Sequence, residues 1–342
     1  MKQKARILLI YTGGTIGMMK AAGSDILTPF PFSAILENIP ELEHLNCSID
    51  HTAFEQPIDS SDIEPWHWQK MGAIILAHYH SYDGFVVLHG SDTMAFSAAA
   101  LSFMFHNLAK PIIFTGSQLP IGITRTDAKE NLITSIEIAA SRNEDGSPCI
   151  PEVAIYFEYH LYRGNRTHKV NSEHFRAFES PNFRPLGEAG VHMKFNGNAL
   201  PIPNAPLTYS DKFSSDVRVI KLYPGISPEG IEHTLNFGTV RGVVLETYGA
   251  GNASRSEAFL NVWRRAIDRG IVVLNISQCT TGRVEQGKYS TSAAFKEMGV
   301  VSGTDMIFEA AVVKLMFLLG NYNDTSLIRE ILEKSMVGEL TP

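Results

Sequence analysis

Ile7-Leu8-Leu9-Ile10-Tyr11 runs straight into Thr12-Gly13-Gly14-Thr15-Ile16-Gly17, an apolar run stopped by a glycine-rich turn. A strand that is apolar on both faces belongs inside a parallel sheet covered by helices. Runs of the same character recur at 85–88, 111–115, 153–157, 217–222, 243–246 and 271–276. Helix-period segments lie between them. The stretch 94–108 is rich in Ala and Phe, and 127–141 carries Ala128, Leu132, Ile133, Ile136 and Ala140 on one stripe. Asp127 followed by Glu130 reads as a capping box at its start. Further on, 305–319 reads as a buried helix closed by Gly320, and 325–334 as a shorter amphipathic one.

Strand alternating with helix predicts the α/β class: two doubly wound (flavodoxin/Rossmann-like) domains with mainly parallel sheets, joined by a linker. The linker is read at 191–216, a polar, aperiodic stretch broken by Pro201, Pro203 and Pro206. It separates an N-terminal α/β domain over 1–190, carrying the active-site loops, from a smaller C-terminal α/β domain over 217–342. The length agrees, since 342 residues are about two domains of roughly 150.

Composition narrows the function. With 29 Lys and Arg against 36 Asp and Glu the formal charge is −7, so no overall field draws the chain to nucleic acid or to a membrane surface. No stretch approaches the roughly 18 apolar residues of a membrane span. Lys2, Lys4 and Arg6 precede an apolar run too short for a signal-peptide core, and a cytoplasmic protein is expected. Cys47, Cys149 and Cys279 are odd in number and scattered, which argues against a disulfide framework and a thiolate zinc site. His78-Tyr79-His80 would set two imidazoles on one face of a strand, yet without a third ligand nearby no metal is expected.

In open parallel sheets ligands bind beyond the carboxyl ends of the strands, so the residues there are read first. After the first strand, Thr15 offers a candidate nucleophile on a loop whose glycines allow close approach. The same turn could cradle phosphate, although it lacks the lysine of a P-loop. After 85–88 comes His89-Gly90-Ser91-Asp92-Thr93-Met94, at the start of a helix. There Ser91 and Asp92 could favour a developing oxyanion or serve only as caps, and His89 reads as a hydrogen-bonded core histidine. Asp59-Ser60-Ser61-Asp62 could hold both charged ends of an amino acid, or be an ordinary turn. Lys169, after Arg163-Gly164-Asn165-Arg166-Thr167-His168, could be a surface lysine or an activated one, with Arg163 and Arg166 as possible cationic neighbours.

Together, Thr12-Gly13-Gly14-Thr15-Ile16-Gly17 and His89-Gly90-Ser91-Asp92-Thr93-Met94 resemble the paired signatures of the bacterial-type L-asparaginases. Asp59-Ser60-Ser61-Asp62, Thr115-Gly116-Ser117-Gln118, the run 161–167, Tyr248-Gly249-Ala250-Gly251-Asn252 and Gln278-Cys279 resemble the cytoplasmic, type I branch. The resemblance implies hydrolysis of the side-chain amide of L-asparagine to L-aspartate and ammonia, through a threonine and without a cofactor. It places the nucleophile on Thr15 and the supporting relay on Ser91, Asp92 and Lys169. It places substrate binding on Asp59, Ser60, Ser61, Ser91, Asp92 and Asn252, the last contributed across the interface of a homodimer or homotetramer. Ser117 falls where the family uses main chain, so its side chain is expected to matter little. This chemistry asks for a weak hydroxyl nucleophile with a base in reach, and for donors aimed at the oxyanion.

The chain departs from the family pattern in three places. Ser91 stands where threonine is usual, losing the methyl that stiffens χ1. The stretch 18–29 carries no tyrosine, Asp25 lying near the usual place. His168 and Glu246 stand where threonine and arginine would support activation by asparagine, so that regulation is not carried over. Three rival readings stay open on residues alone: a non-catalytic amino-acid sensor in the same cleft, a nucleotide module on Gly13-Gly14, and a Ser-Lys pair in which Ser91, activated by Lys169, is acylated in place of Thr15.

Overall fold

The computed structural model describes residues 4–20, 27–29, 39–287 and 290–342. Position 25, expected near the usual tyrosine, lies outside them. The chain divides into two units, Met1–Tyr209 and Ser210–Pro342.

The first unit is built on an eight-stranded sheet. Its strands are β1 (Ala5–Gly13), β2 (Cys47–Ile58), β3 (Gly84–Leu88), β4 (Ile112–Thr115), β5 (Val153–Phe157), β6 (His160–Arg163), β7 (Gly187–Ala189) and β8 (Met193–Phe195). They lie in the order β8-β7-β6-β5-β4-β3-β1-β2. From β2 to β5 neighbours run parallel, and from β5 to β8 they run antiparallel. The parallel part thus has the order 2-1-3-4-5, in which the chain leaves β1 to one side and returns on the other at β3. At such a switch point the two outgoing loops diverge to opposite faces and leave a crevice between the strand ends. The sequence of the fold therefore puts the crevice after Gly13 and after Leu88.

The strands read from sequence are those buried on both faces. Ile7, Leu9, Tyr11, Val86, Leu88 and Ile113 pack against Ala128, Leu132 and Ile136 of α3 (Ala128–Ala140). The alternate residues Leu8, Ile10, Phe85, Val87 and Phe114 are equally buried. The opposite face is covered by α2 (Met94–Met104), which packs on β4 and β5 and is backed by α1 (Pro65–His78). His78-Tyr79-His80 sits at the end of α1 and in the turn after it, not on a strand, so its two rings are not aligned by a two-residue period. The helix expected over 94–108 ends at Met104 because Phe105–His106 turns extended and pairs with Thr208–Tyr209.

That pairing also corrects the linker. Residues 193–195 form an edge strand of the large sheet and 208–209 pair within the same unit, so the stretch 191–216 is divided between the units.

The second unit carries a four-stranded parallel sheet, β9 (Val217–Lys221), β10 (Gly242–Thr247), β11 (Val272–Ser277) and β12 (Val301–Ser302), in sequential order. Between them run α4 (Pro228–Asn236), α5 (Glu257–Asp268) and α6 (Ser290–Met298). Trp263 and Phe259 of α5 and Phe295 of α6 bury one face of the sheet against Val243, Leu245 and Val273. The other face is met by α7 (Phe308–Asn321), where Leu315 and Leu319 lie directly over Gly242. Helix α7 runs one residue past Gly320 and does not stop at it; the glycine fits closely against the backbone of Lys212 and Phe213, where a Cβ would collide. Helix α8 (Thr325–Leu332) follows, capped by the Asp324 carboxylate on the Ser326 and Leu327 amides. Among the described residues no helix is long and apolar enough to cross a membrane.

A fully buried ion pair closes this unit. Lys314 Nζ lies 2.6 Å from Glu339 Oε1, and neither side chain is exposed. Lys314 also donates to the carbonyls of Leu332 and Lys334, while Glu339 accepts the Met336 and Val337 amides. Burial pulls the lysine below its ordinary pKa and Glu339 opposes that shift. Removing one partner strands a buried charge. Lys314→Met is therefore expected to lower stability by about 3–5 kcal/mol, measured by equilibrium urea unfolding.

Candidate active site

Backbone contacts, more than side chains, assemble the loops at the carboxyl edge of the first sheet. Gly14 has φ 87°, and a Cβ there would lie 2.5 Å from the amide nitrogen of Gly90. Gly90 in turn presses on the second loop, where a Cβ would lie 2.5 Å from Ser60 Oγ. Thr12 Oγ1 adds a hydrogen bond to the Leu88 carbonyl at 2.9 Å, fastening the end of β1 to the end of β3. Thr15 and Ser91 each follow one of the touching glycines, so both reach the crevice from adjacent strands. Thr15 opens a single 3-10 turn, Thr15–Gly17, and is half-buried.

The loop after β2 contributes Asp59, Ser60 and Ser61. The Asp59 carboxylate caps the 3-10 turn Ser60–Asp62, accepting from the Ser61 amide and hydroxyl at 2.9 Å each. Ser60 is buried beside Gly90, and its carbonyl accepts from Thr93 Oγ1 at 2.6 Å. Thr93 stands at the N-cap position of α2, yet its side chain makes no capping bond and instead ties the two loops together.

Lys169 arrives from β6 by way of the 3-10 turn Gly164–Arg166 and a short ribbon in which His168–Lys169 pairs with Phe178–Glu179. Its Nζ donates to Ser91 Oγ at 2.8 Å and to Asp92 Oδ1 at 2.6 Å. The Lys169 side chain is 15% exposed and that of Asp92 63%, so the ammonium is held at the wall of the crevice and the carboxylate faces its mouth. Arg163 is paired with buried Glu152 at 2.6 Å, and the guanidinium groups of Arg163 and Arg166 lie over the Phe183 ring.

Beneath the crevice a polar chain fixes the β3 loop. Trp68 Nε1 donates to Ser97 Oγ at 3.0 Å, Ser97 meets His89 Nε2 at 2.9 Å, and His89 Nδ1 meets the Gly90 carbonyl at 2.7 Å. A carbonyl only accepts, so Nδ1 carries the proton and Nε2 receives the serine hydrogen. The imidazole is satisfied in its neutral form. It is a positioned core group, as read from sequence, and burial pushes its pKa down to about 4.

Opposite, the loop after β4 is gripped by α3. The Asp127 carboxylate accepts from the Gln118 and Leu119 amides at 2.9 and 3.1 Å and from Asn131 Nδ2 at 3.2 Å. The capping box read at Asp127 and Glu130 is absent, because Asp127 turns to the loop and Glu130 accepts from Thr134 and Tyr156 instead. Ser117 donates to the Leu119 carbonyl at 2.7 Å and serves the turn. Gln118, which the sequence reading left without a role, sets its Oε1 3.4 Å from Ser91 Oγ.

Comparison with known proteins rests on the whole chain. Residues 6–201 match the family model for the asparaginase N-terminal domain, and residues 216–332 that for the glutaminase/asparaginase C-terminal domain. The chain belongs to the asparaginase family. It is 42% identical to L-asparaginase 1 of Escherichia coli K12 across 99% of both chains. The crystal structure of L-asparaginase I from Vibrio cholerae is similar with a TM-score of 0.91 at 37% identity, over 99% of this chain and 100% of that one. The thermostable L-asparaginase from Thermococcus kodakarensis gives 0.90 at 31%, over 98% and 99%.

In this asparaginase-family chain Asn252 lies in the second unit, at the end of a tight turn where its amide and carbonyl both bond Tyr248. The left-handed positions of that turn are Gly249 and Gly251, not Asn252, so the asparagine is not there for its backbone conformation. Glu246 faces Lys221 across the β9–β10 ladder at 3.7 Å.

Neutral His89 makes stability depend on pH. The unfolded imidazole protonates as pH falls below about 6.5, while the folded one stays neutral to about 4. Its contribution is therefore complete above that window and is lost as pH falls through it, by about 3 kcal/mol. Denaturant unfolding at about pH 7.5 and about pH 4 is expected to show that loss in the wild type, and a correspondingly smaller one in His89→Gln.

Proposed function

We propose that the chain hydrolyses the side-chain amide of L-asparagine, giving L-aspartate and ammonia, with Thr15 as nucleophile. The observation that carries the roles is the single lysine bonded at once to Ser91 Oγ and Asp92 Oδ1, at the strand end that touches the Thr15 loop.

A threonine hydroxyl is a weak nucleophile and needs a base in reach. In its neutral form Lys169 takes the Ser91 proton as Ser91 Oγ takes that of Thr15, and Thr15 Oγ1 bonds to the amide carbon. The oxyanion of the tetrahedral intermediate is met by backbone N–H groups of the glycine-lined loops, aimed before the reaction begins. The carbon–nitrogen bond then breaks, and the proton returns through Ser91 to the leaving nitrogen, releasing ammonia. Water cleaves the acyl ester to give aspartate and restore Thr15. Asp92, open to the crevice mouth, holds the substrate α-ammonium, and the Asp59-Ser60-Ser61 turn holds the α-carboxylate. No cofactor or metal enters these steps.

The same reading includes a homodimer or homotetramer with Asn252 placed across a subunit interface, in a cytoplasmic setting. Sedimentation equilibrium tests the assembly.

Ammonia release from L-asparagine is expected for the wild type and is expected to vanish in Thr15→Ala with the unfolding midpoint unchanged. Lys169→Met is expected to lower kcat by about 10²–10⁴-fold, the range for losing a positioned acid–base group. Silence of the wild type, with calorimetric binding of aspartate retained, would turn the reading toward an amino-acid sensor.

A further inference from the structure

Ser91 is the narrowest link in that relay. A serine has no β-methyl, so its χ1 and its hydroxyl rotor are freer than those of a β-branched residue. A relay hydroxyl works only if its proton and its lone pairs point to fixed places. Lys169 Nζ fixes one lone pair of Ser91 Oγ at 2.8 Å. The proton is left to the Gln118 side-chain oxygen, 3.4 Å away, at the long limit of a hydrogen bond. With both directions assigned, one lone pair of Ser91 Oγ is left uncommitted.

Which end of the Gln118 amide faces Ser91 is decided by its other partner. Gln118 Nε2 donates to the His174 carbonyl at 3.0 Å, and a carbonyl has no proton to give, so Oε1 must face the serine. The main chain at Gln118 is held independently of that side chain. Its amide donates to Asp127, and Asn131, fully buried, bonds Asp127 Oδ2, the Gly116 carbonyl and the Glu158 amide. The loop is thus anchored to α3, and the amide reaches from a fixed base.

Resting on the reaction proposed above, we infer that Gln118 is a positioning residue that holds the Ser91 hydroxyl at the proton-loaded end of the relay, where Lys169 is an ammonium. In that arrangement Ser91 keeps its proton on Gln118 until the leaving nitrogen takes it. The Asp127–Asn131 clamp serves the same end by fixing where Gln118 starts.

The test is a double-mutant cycle between Gln118→Leu and Ser91→Thr, read by ammonia release from L-asparagine. Gln118→Leu is expected to lower kcat about tenfold with KM nearly unchanged, the loss of one oriented hydrogen bond in the transition state. In the Ser91→Thr background, where the added methyl restricts χ1, the same change is expected to cost about twofold or less. Gln118→Ala, which removes the amide and leaves the main-chain bonds to Asp127 in place, carries the same tenfold expectation if Gln118→Leu does not fold. Equal losses in both serine and threonine backgrounds, or a rise in KM alone, would overturn the assignment. A wild type without amidase activity would overturn the reaction itself and this role with it, whereas an active wild type without coupling overturns only the role of Gln118.

Discussion

Two backbones in contact, at Gly14 and Gly90, set the terms for the rest of the first unit. Sheet order makes β1 and β3 neighbours, but neighbouring strand ends normally carry side chains that hold their outgoing loops apart. Here a single methyl on either glycine would collide with the loop opposite, at Gly90 N in one case and Ser60 Oγ in the other. Removing those methyls lets three loops share one small volume. The hydroxyls that follow the glycines then meet at the strand ends without long, rotatable side chains, which limits the entropy lost in ordering them.

Below and beside this contact, polar groups are buried in fully partnered sets. His89, Ser97 and Trp68 satisfy one another under the β3 loop, and Asp127 with Asn131 satisfies four backbone groups around the β4 loop. Each set bridges a helix to a strand end, so the loops inherit the rigidity of α2 and α3. Lys169 comes from a ribbon and not from a sheet strand, and its position depends on what it binds. Its two bonds, to Ser91 and Asp92, make the ammonium part of the fold as well as of the chemistry.

Sequence was most informative where burial is complete. β1, β3, β4 and β5 are apolar on both faces and read directly as parallel strands, and their carboxyl ends named Thr15, Ser91 and Asp92 as candidates. β2 escaped because it is the sheet edge: Asp50, His51, Glu55 and Gln56 lie exposed along it, and its Pro57 removes an amide that an edge strand can spare. The antiparallel strands β6 to β8 are each too short to show a period, and β7 and β8 are partly exposed, so they hid inside a stretch that reads as connection and linker. Among site residues, Gln118 and Thr93 went unread because their partners, Ser91 and Ser60, are about thirty positions away, beyond any local pattern. Asp127 was misread for the same reason: a carboxylate near a helix start looks like a cap until a distant loop offers it better donors.

The Lys314–Glu339 pair ties the interior of the second unit to a residue remote in sequence. During synthesis α7 emerges with a lysine destined for complete burial, and its counter-charge follows 25 positions later, after α8. Without that partner, seating α7 on its sheet would bury an uncompensated lysine. Loss of Glu339, far along the sequence from α7, would therefore act on the interior of that sheet's helical cover.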